Sequence, residues 1–168
     1  MKSIFKLLVA AFLTLAPLTV IAQSNVAHIN VQQLISEMPE VISAQNELAK
    51  LEKDYTTQID NAFKEFQTKA QSYSSDAANQ TDVTNQARQK ELESMQTNLQ
   101  EFRDSAAQEL QKKQMDLMTP LLEKARNAIT KVGEEQGFNY VIDSSPNGGI
   151  ILANGKDLLA DVKKELGF

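Results

Sequence analysis

Residues that could carry out catalysis are scarce in this 168-residue chain, which has one histidine, His28, and no cysteine or tryptophan. A sequence without cysteine excludes thiol catalysis, disulfides and cysteine-ligated metals. A single histidine excludes metal sites with several histidine ligands and disfavours a hydrolytic triad. The acidic side chains are spaced as solvated faces of helices, and none is paired in a recognisable pocket. We therefore predict a binding or structural protein with no enzymatic activity, no cofactor and no metal site.

The net charge argues against a nucleic-acid partner. The chain has 17 basic and 22 acidic side chains, for a net charge of −5. Removal of the first 22 of the 168 residues, whose only charged members are Lys2 and Lys6, leaves 146 residues with a net charge of −7. Because phosphate backbones are bound by clustered Lys and Arg, no nucleic-acid binding is expected. The remaining length is that of one domain.

The first 22 residues have the layout of a secretory signal peptide. Lys2 and Lys6 flank the start of an apolar stretch that ends in Val20-Ile21-Ala22, with small residues at the −3 and −1 positions. The alternative is a retained membrane anchor. The stretch is shorter than the ~20 apolar residues that span a bilayer, and Pro17 interrupts it. We therefore predict cleavage after Ala22 and export.

The most informative feature is a stretch without Gly or Pro from Glu40 to Thr119. Its apolar residues recur every three or four positions, which predicts amphipathic helices. The pattern lapses over residues 72–82 and then resumes, so we predict two antiparallel helices that pair as a coiled-coil arm over residues 39–120, with a tip near 74–82. The second helix is predicted to reach about Gln136. The apolar stripe of the first helix consists of Leu48, Leu51, Tyr55, Ile59, Phe63, Phe66, Ala70 and Tyr73.

The two ends of the mature chain, residues 23–38 and 121–168, predict a small β-rich base. Strands are predicted at Val26–Asn30 and Phe138–Asp143. Ile150–Ala153 is predicted to be the hairpin partner of the second strand, after a turn at residues 144–149. A short amphipathic helix is predicted at 156–166. The fold class is therefore α+β and mainly α, with a long helical hairpin projecting from a small β-base.

The junction between arm and base is predicted from the two prolines of the helical region. If the tip centres near residue 78, Pro39 lies beside residue 118 and therefore close to Pro120. Because proline removes a hydrogen bond from a helix, Pro120 is the candidate hinge.

Oligomerisation is expected because about 60 residues make a marginal core. Neighbouring subunits would cover the open strand edges of the base. Oligomerisation is also indicated by a second apolar stripe, formed by Met115, Met118 and Leu122. The first helix of the arm packs against Leu117 and Leu121, so this second stripe has no partner within the chain. These faces fit two, three or four subunits. The base residues predicted at the oligomer contact are Val26, Ile29, Tyr140, Ile142 and Ile151.

The order of these elements resembles the Skp/OmpH family of periplasmic chaperones. The resemblance spans about residues 25–168. It rests on four features: Val26-Ala27-His28-Ile29-Asn30-Val31, Pro39 at the start of the arm, the run from Leu117 to Lys124, and Gly137-Phe138-Asn139-Tyr140-Val141-Ile142-Asp143. The resemblance implies a homotrimer whose bases share a small β-barrel. It also implies that unfolded outer-membrane proteins are held without ATP in a cavity between three arms.

Side chains that could contact such a client lie along the arm. A holdase needs apolar surface that is accessible but sheltered, and the flexible side chain of Met suits varied partners. For Phe66, Met95 and Phe102, packing in the seam is the favoured alternative, whereas for Met115 and Met118 a cavity or subunit contact is favoured. The candidates are Phe63, Phe66, Tyr73, Met95, Phe102, Met115 and Met118.

The acidic charge is a departure from the family, whose well-known members are basic and use their arms at lipid or lipopolysaccharide. Here Asp76 and Asp82 lie at the predicted tip, which argues against such contact. Acidic arms are expected to attract basic clients instead. The alternative function is a structural coiled-coil scaffold of the envelope without client binding. A third reading, an envelope enzyme or ligand-binding domain, would need convergent polar groups that the sequence lacks.

Overall fold

The computed structural model describes residues 25–146 and 148–168, so the predicted signal peptide lies outside the described residues. The chain is mainly helical with a small sheet. Its elements in chain order are β1 (Val26–Ile29), α1 (Val31–Glu37), α2 (Pro39–Asp76), a 3-10 turn (Ala77–Asn79), α3 (Asp82–Glu135), β2 (Tyr140–Asp143), β3 (Lys156–Asp157) and α4 (Leu159–Leu166). Within these ranges no helix is both long enough and apolar enough to cross a membrane.

The helical hairpin predicted from apolar periodicity is confirmed, because α2 and α3 pack against each other along the arm. They contain 38 and 54 residues, or about 57 Å and 81 Å at 1.5 Å per residue. Pro39 opens α2, where its missing N–H is not needed. At the tip the Thr81 hydroxyl accepts the backbone N–H of Thr84 at 3.2 Å and caps α3. Gly137, with a φ of +75°, follows the other end of α3.

Ion pairs between the two helices show how they align. Glu40 pairs with Lys124 at 2.5 Å, and Glu47 pairs with Lys113 at 2.8 Å. The predicted register placed residue 39 beside residue 118. Side chains lean towards the N-terminus of their own helix. In an antiparallel pair, two side chains in contact therefore come from residues whose numbers add up to more than those of two residues at the same height along the arm. Helix α3 continues without interruption through Pro120.

The sheet of the base has the order β2-β1-β3, and both outer strands run parallel to β1. The predicted hairpin between residues 138–143 and Ile150–Ala153 is therefore wrong. Ile150–Ala153 forms no strand, and Lys156–Asp157 supplies the third one. The physical reason is that the chain crosses from one edge of β1 to the other after β2. For the same reason the last helix begins at Leu159 rather than at 156.

The core lies in the base, between the sheet and the helix ends. Small side chains of α3, including Ala125 and Ala128, face it and allow close approach. Gly133 extends this contact, because a Cβ atom placed there would lie 2.8 Å from Cγ2 of Val141 on β2. The largest fully buried side chains are Ile29, Leu34, Met38, Val41, Leu158 and Val162.

This close approach predicts that Gly133→Ala destabilises the base. The added methyl group must displace Val141, and overpacking of this kind costs about 1–3 kcal/mol. The measurement is the urea midpoint followed by circular dichroism at fixed protein concentration. The control is Asn127→Ala, an exposed position six residues earlier on α3. Equal midpoints for the two variants would contradict the packing of α3 on β2.

Candidate functional site

The first exposed apolar surface lies on α3 where the arm meets the base. Met115 is 54% exposed, and Leu122, seven residues later and hence on the same helix face, is also exposed. Leu122 borders a groove of about 520 Å³ that is lined mainly by apolar side chains of α1, α3 and the region of β2, including Ile35, Ile129 and Phe138. We call Met115, Leu122 and this groove the arm-root surface.

Met118 belongs to the same predicted stripe as Met115 and Leu122, but it is not part of the arm-root surface. It is half-buried and packs against the core of the base. Of the two methionines predicted to make a cavity or subunit contact, Met115 is exposed and Met118 is only partly accessible in the single chain. The sequence pattern grouped them because positions 115, 118 and 122 share one side of a helix, but the base covers part of that side.

The second exposed apolar surface is the edge of the sheet. Strand β2 pairs with β1 on one side, and no other described strand pairs with it. Tyr140 is 64% exposed and Ile142 is also exposed. Ile151 is fully exposed in the segment after β2, next to Leu152, an exposed residue that sequence analysis did not single out. We call Tyr140, Ile142, Ile151 and Leu152 the sheet-edge surface, of which the first two lie on β2 itself. Tyr140 also lines the groove of the arm-root surface, so the two surfaces adjoin.

The remaining two predicted base contacts lie deeper. Val26 is half-buried. Ile29 is 1% exposed and belongs to the core of its own chain. Both positions belong to the central strand β1, whose two edges are already paired.

The middle of the arm holds most of its aromatic candidates in the seam. The ring of Phe102 packs edge-on against Tyr55, with ring centres 6.0 Å apart. The Tyr55 hydroxyl donates to the carboxylate of Glu109 on the facing helix. Phe66 and Met95 are half-buried. The favoured alternative for these residues, packing in the seam, agrees with this burial.

Phe63 differs from the rest of the predicted stripe. It is 39% exposed, whereas the other stripe members from Leu48 to Tyr73 are half-buried. Its ring stacks on that of Phe66 at 6.5 Å with an interplanar angle of 23°. An exposed aromatic ring therefore lies on the arm beside the seam.

Tyr73 near the tip is engaged with charged groups. The Arg88 guanidinium lies 4.7 Å from the centre of its ring, and its hydroxyl donates to Glu91 at 2.6 Å. Arg88 also pairs with Asp76 at 3.0 Å, and Lys69 pairs with Glu91 at 2.6 Å. The hydrogen bond from Arg88 lowers the pKa of Asp76, and the hydrogen bond from Lys69 lowers the pKa of Glu91. These contacts tie the two helices together at the tip.

His28 has a structural contact rather than a ligand set. Its Nδ1 lies 3.1 Å from the hydroxyl oxygen of Ser144, which links β1 to the residue after β2. Over residues 25–146 and 148–168, no group of three or more acidic or histidine side chains is placed to hold a metal ion.

Sequence analysis also missed the anchor between α1 and the end of β2. Ser145 is buried, and its hydroxyl oxygen accepts the backbone N–H of Gln32 at 3.0 Å. Burial opposes ionisation of Asp143, but hydrogen bonds from Ser145 and from the N–H of Val31 lower its pKa overall. The Asn30 side chain caps α1 by accepting the N–H of Gln33 at 2.9 Å. This anchor fixes the groove of the arm-root surface, to which Val31 contributes.

The described residues form a hairpin arm on a small base, with apolar surface left exposed at their junction. Comparison with known proteins identifies the class of protein as a chaperone. The family described as outer membrane protein (OmpH-like) matches residues 25–166. The chaperone protein Skp of Yersinia enterocolitica is 26% identical over 159 residues, which cover 92% of this chain and 93% of the relative. The Skp protein of Pectobacterium atrosepticum is 24% identical over 151 residues and 90% of each chain.

A solved structure shows the same fold. A candidate OmpH-like outer membrane chaperone from Caulobacter crescentus CB15 superimposes with a TM-score of 0.75 at 10% identity, over 84% of this chain and 83% of that one. The chain belongs to the OmpH-like family, which includes the Skp chaperones and is non-enzymatic. The resemblance drawn from the sequence motifs is thereby confirmed.

The tip cluster predicts a pH dependence of stability. Asp76 has a lowered pKa in the folded chain, so its stabilising contribution is present above its unfolded pKa of about 3.8 and is lost as the pH falls through the lower folded value. Asp76→Asn should lower the urea midpoint at pH 7, and the difference from the wild type should shrink as the pH falls below about 3.8. Asp60→Asn, at an exposed arm position, is the matched control. A pH-independent difference would contradict the role of the Asp76 carboxylate.

Proposed function

We propose that this protein is an ATP-independent holdase that binds unfolded outer-membrane proteins in a cavity between helical arms and prevents their aggregation in the periplasm. The observation that carries the proposal is the arm-root surface, an exposed apolar surface in a member of a chaperone family. An unfolded barrel protein exposes apolar side chains that such a surface can shelter from water.

The contacts that this surface can make are weak, as expected for a chaperone that holds and releases clients without nucleotide. Full burial of one Met or Leu side chain contributes about 1.5–3 kcal/mol. Met115 and Leu122 are already partly covered, so each contributes less than that. Several weak contacts retain a client while each one remains easily broken. Release then requires only that the client find a better place to bury its apolar surface.

The proposed assembly is a homotrimer built on the sheet-edge surface. The free edge of β2 exposes unpaired backbone N–H and C=O groups, and natural proteins cover or block such edges. The apolar side chains of Tyr140 and Ile142 lie on β2, and those of Ile151 and Leu152 are exposed in the segment that connects β2 to β3. Joining three bases would bury them and place three arms around one cavity. Residues 39–120 then act as the arm, and residues 23–38 and 121–168 act as the base.

Two further proposals concern flexibility and location. Pro120, which is exposed within α3 and lacks an N–H, is proposed as the point where the arm bends. Cleavage after Ala22 is proposed to release the chain into the periplasm. We do not expect the arm to contact membrane or lipopolysaccharide, because it is acidic.

The arm-root surface is tested by the double variant Met115→Ser/Leu122→Ser. We expect about a tenfold weaker suppression of aggregation when a urea-unfolded outer-membrane barrel protein is diluted into the mature protein, because two apolar contacts are lost. The readout is light scattering against chaperone concentration. The matched control is Val83→Ser, an exposed apolar position near the tip. Unchanged suppression by the double variant would overturn this assignment.

The acidic arm predicts a dependence on salt. Residues 39–120 contain 14 acidic and 9 basic side chains, so a client with net positive charge is attracted over a Debye length of about 10 Å at 0.1 M salt. Raising the salt to 0.5 M should weaken the holding of a basic client several-fold and leave an acidic client unaffected or held more tightly. The measurement is the dissociation constant of matched unfolded clients. If the affinity for each client is the same at all salt concentrations, charge does not contribute to client holding.

A further inference from the structure

A second groove lies halfway along the arm, well away from the arm-root surface. It has a volume of about 450 Å³ and lies between α2 and α3. Its apolar wall is formed by Phe63, Phe66 and Leu99. Leu99 is buried, whereas the ring of Phe63 is the exposed part of the stacked pair. A groove of this size can accept an aromatic side chain and part of the next residue.

The other wall of the groove is polar and carries one positive charge. Gln96, Thr97 and Gln100 line it, together with Arg103 one helical turn further along α3. Arg103 is exposed and takes part in none of the ion pairs found among the described residues. Lys69, Arg88 and Lys113 are paired with carboxylates, whereas several lysines of the arm are, like Arg103, in none of these pairs. Arg103 differs from those lysines because it lines the groove. The groove therefore combines an apolar wall with an unpaired guanidinium.

We propose that this groove, formed by Phe63, Phe66, Leu99 and Arg103, binds a segment of an unfolded client in which an aromatic side chain is next to a carboxylate. The inference rests on the proposed holdase function and names the client feature that one site on the arm selects. The client ring packs against Phe63 in the offset or edge-on geometry that aromatic pairs prefer. The client carboxylate pairs with Arg103, whose planar guanidinium can donate two parallel hydrogen bonds.

The charge of the surroundings explains why this contact is selective. The arm is acidic as a whole, so a client carboxylate is repelled from most of its surface. Arg103 offers that carboxylate a partner next to an apolar wall. A client aromatic residue without a carboxylate retains the apolar contact but leaves the guanidinium unpaired. The groove thus adds a local preference to the general attraction of basic clients.

The test uses three labelled peptides of one length and otherwise identical sequence, containing Phe-Asp, Phe-Asn or Ala-Asp at the centre. Their binding to the mature protein is measured by fluorescence anisotropy. We expect the Phe-Asp peptide to bind about fivefold more tightly than the Phe-Asn peptide, in line with one exposed ion pair, and more tightly than the Ala-Asp peptide. Arg103→Gln should abolish the first preference, and Phe63→Ser should abolish the second.

Lys90→Gln is the matched control, because Lys90 is an exposed cation of α3 outside the groove. It should leave both preferences intact. The inference is overturned if the wild type binds the Phe-Asp and Phe-Asn peptides equally, if Lys90→Gln has the same effect as Arg103→Gln, or if no peptide binds at about 1 mM. Unaltered circular dichroism spectra exclude misfolding as the cause of any change.

The same samples separate this inference from the holdase proposal. If the wild type suppresses aggregation of an unfolded barrel protein but does not discriminate between the peptides, only the groove assignment fails. If the wild type does not suppress aggregation at all, the holdase proposal fails, and the groove assignment fails with it.

Discussion

Strand β1 is the element on which the rest of the structure depends. It receives backbone hydrogen bonds from both sides, from Ser144 to Ile29 at 2.9 Å and from Leu158 to His28 at 3.0 Å. Its parallel pairing with β2 closes a loop that contains the whole helical arm. The entropy of closing a loop grows only slowly with its length, so a long and regular arm can be accommodated in that loop. Parallel strands require such a connection, because a tight turn cannot join them.

This arrangement leaves apolar surface accessible. Helices α2 and α3 can bury only one stripe each against the other, and the base has too few residues to cover what remains. The surplus appears at Met115 and Leu122, at the edge of β2, and at Phe63 on the arm. In a protein with a closed globular core, surfaces of this kind would be a liability. In this member of a chaperone family, we propose that they bind unfolded chains.

The helical hairpin could be predicted because its signal is local. Steps of three and four between apolar residues, the lapse before Thr81 and the glycine at 137 each depend on a few neighbouring residues. The sheet order could not be predicted in this way. Ile150–Ala153 has the composition of a strand, and only the pairing of distant residues shows that Lys156–Asp157 occupies the second edge of β1 instead.

The candidate site was predictable to a similar extent. The periodicity identifies a stripe that contains Phe63, which stays a predicted client contact, but it does not distinguish the exposed Phe63 from the half-buried rest of the stripe. It also grouped the half-buried Met118 with the exposed Met115. A pattern of residue types cannot show how far one helix is rotated against another, nor which turn of α3 the base covers. Ser145 and Asp143 carried no sequence signal, because their hydrogen bonds join α1 to the end of β2 across more than 100 residues.

We propose that this chain assembles into a container for one unfolded client. The most direct measurement is the absolute mass of residues 23–168 by light scattering, alone and after dilution of a urea-unfolded outer-membrane barrel protein into the sample. We expect a mass of three chains that rises by one client without aggregation. A mass of one chain, or an assembly that leaves the client to precipitate, would contradict it.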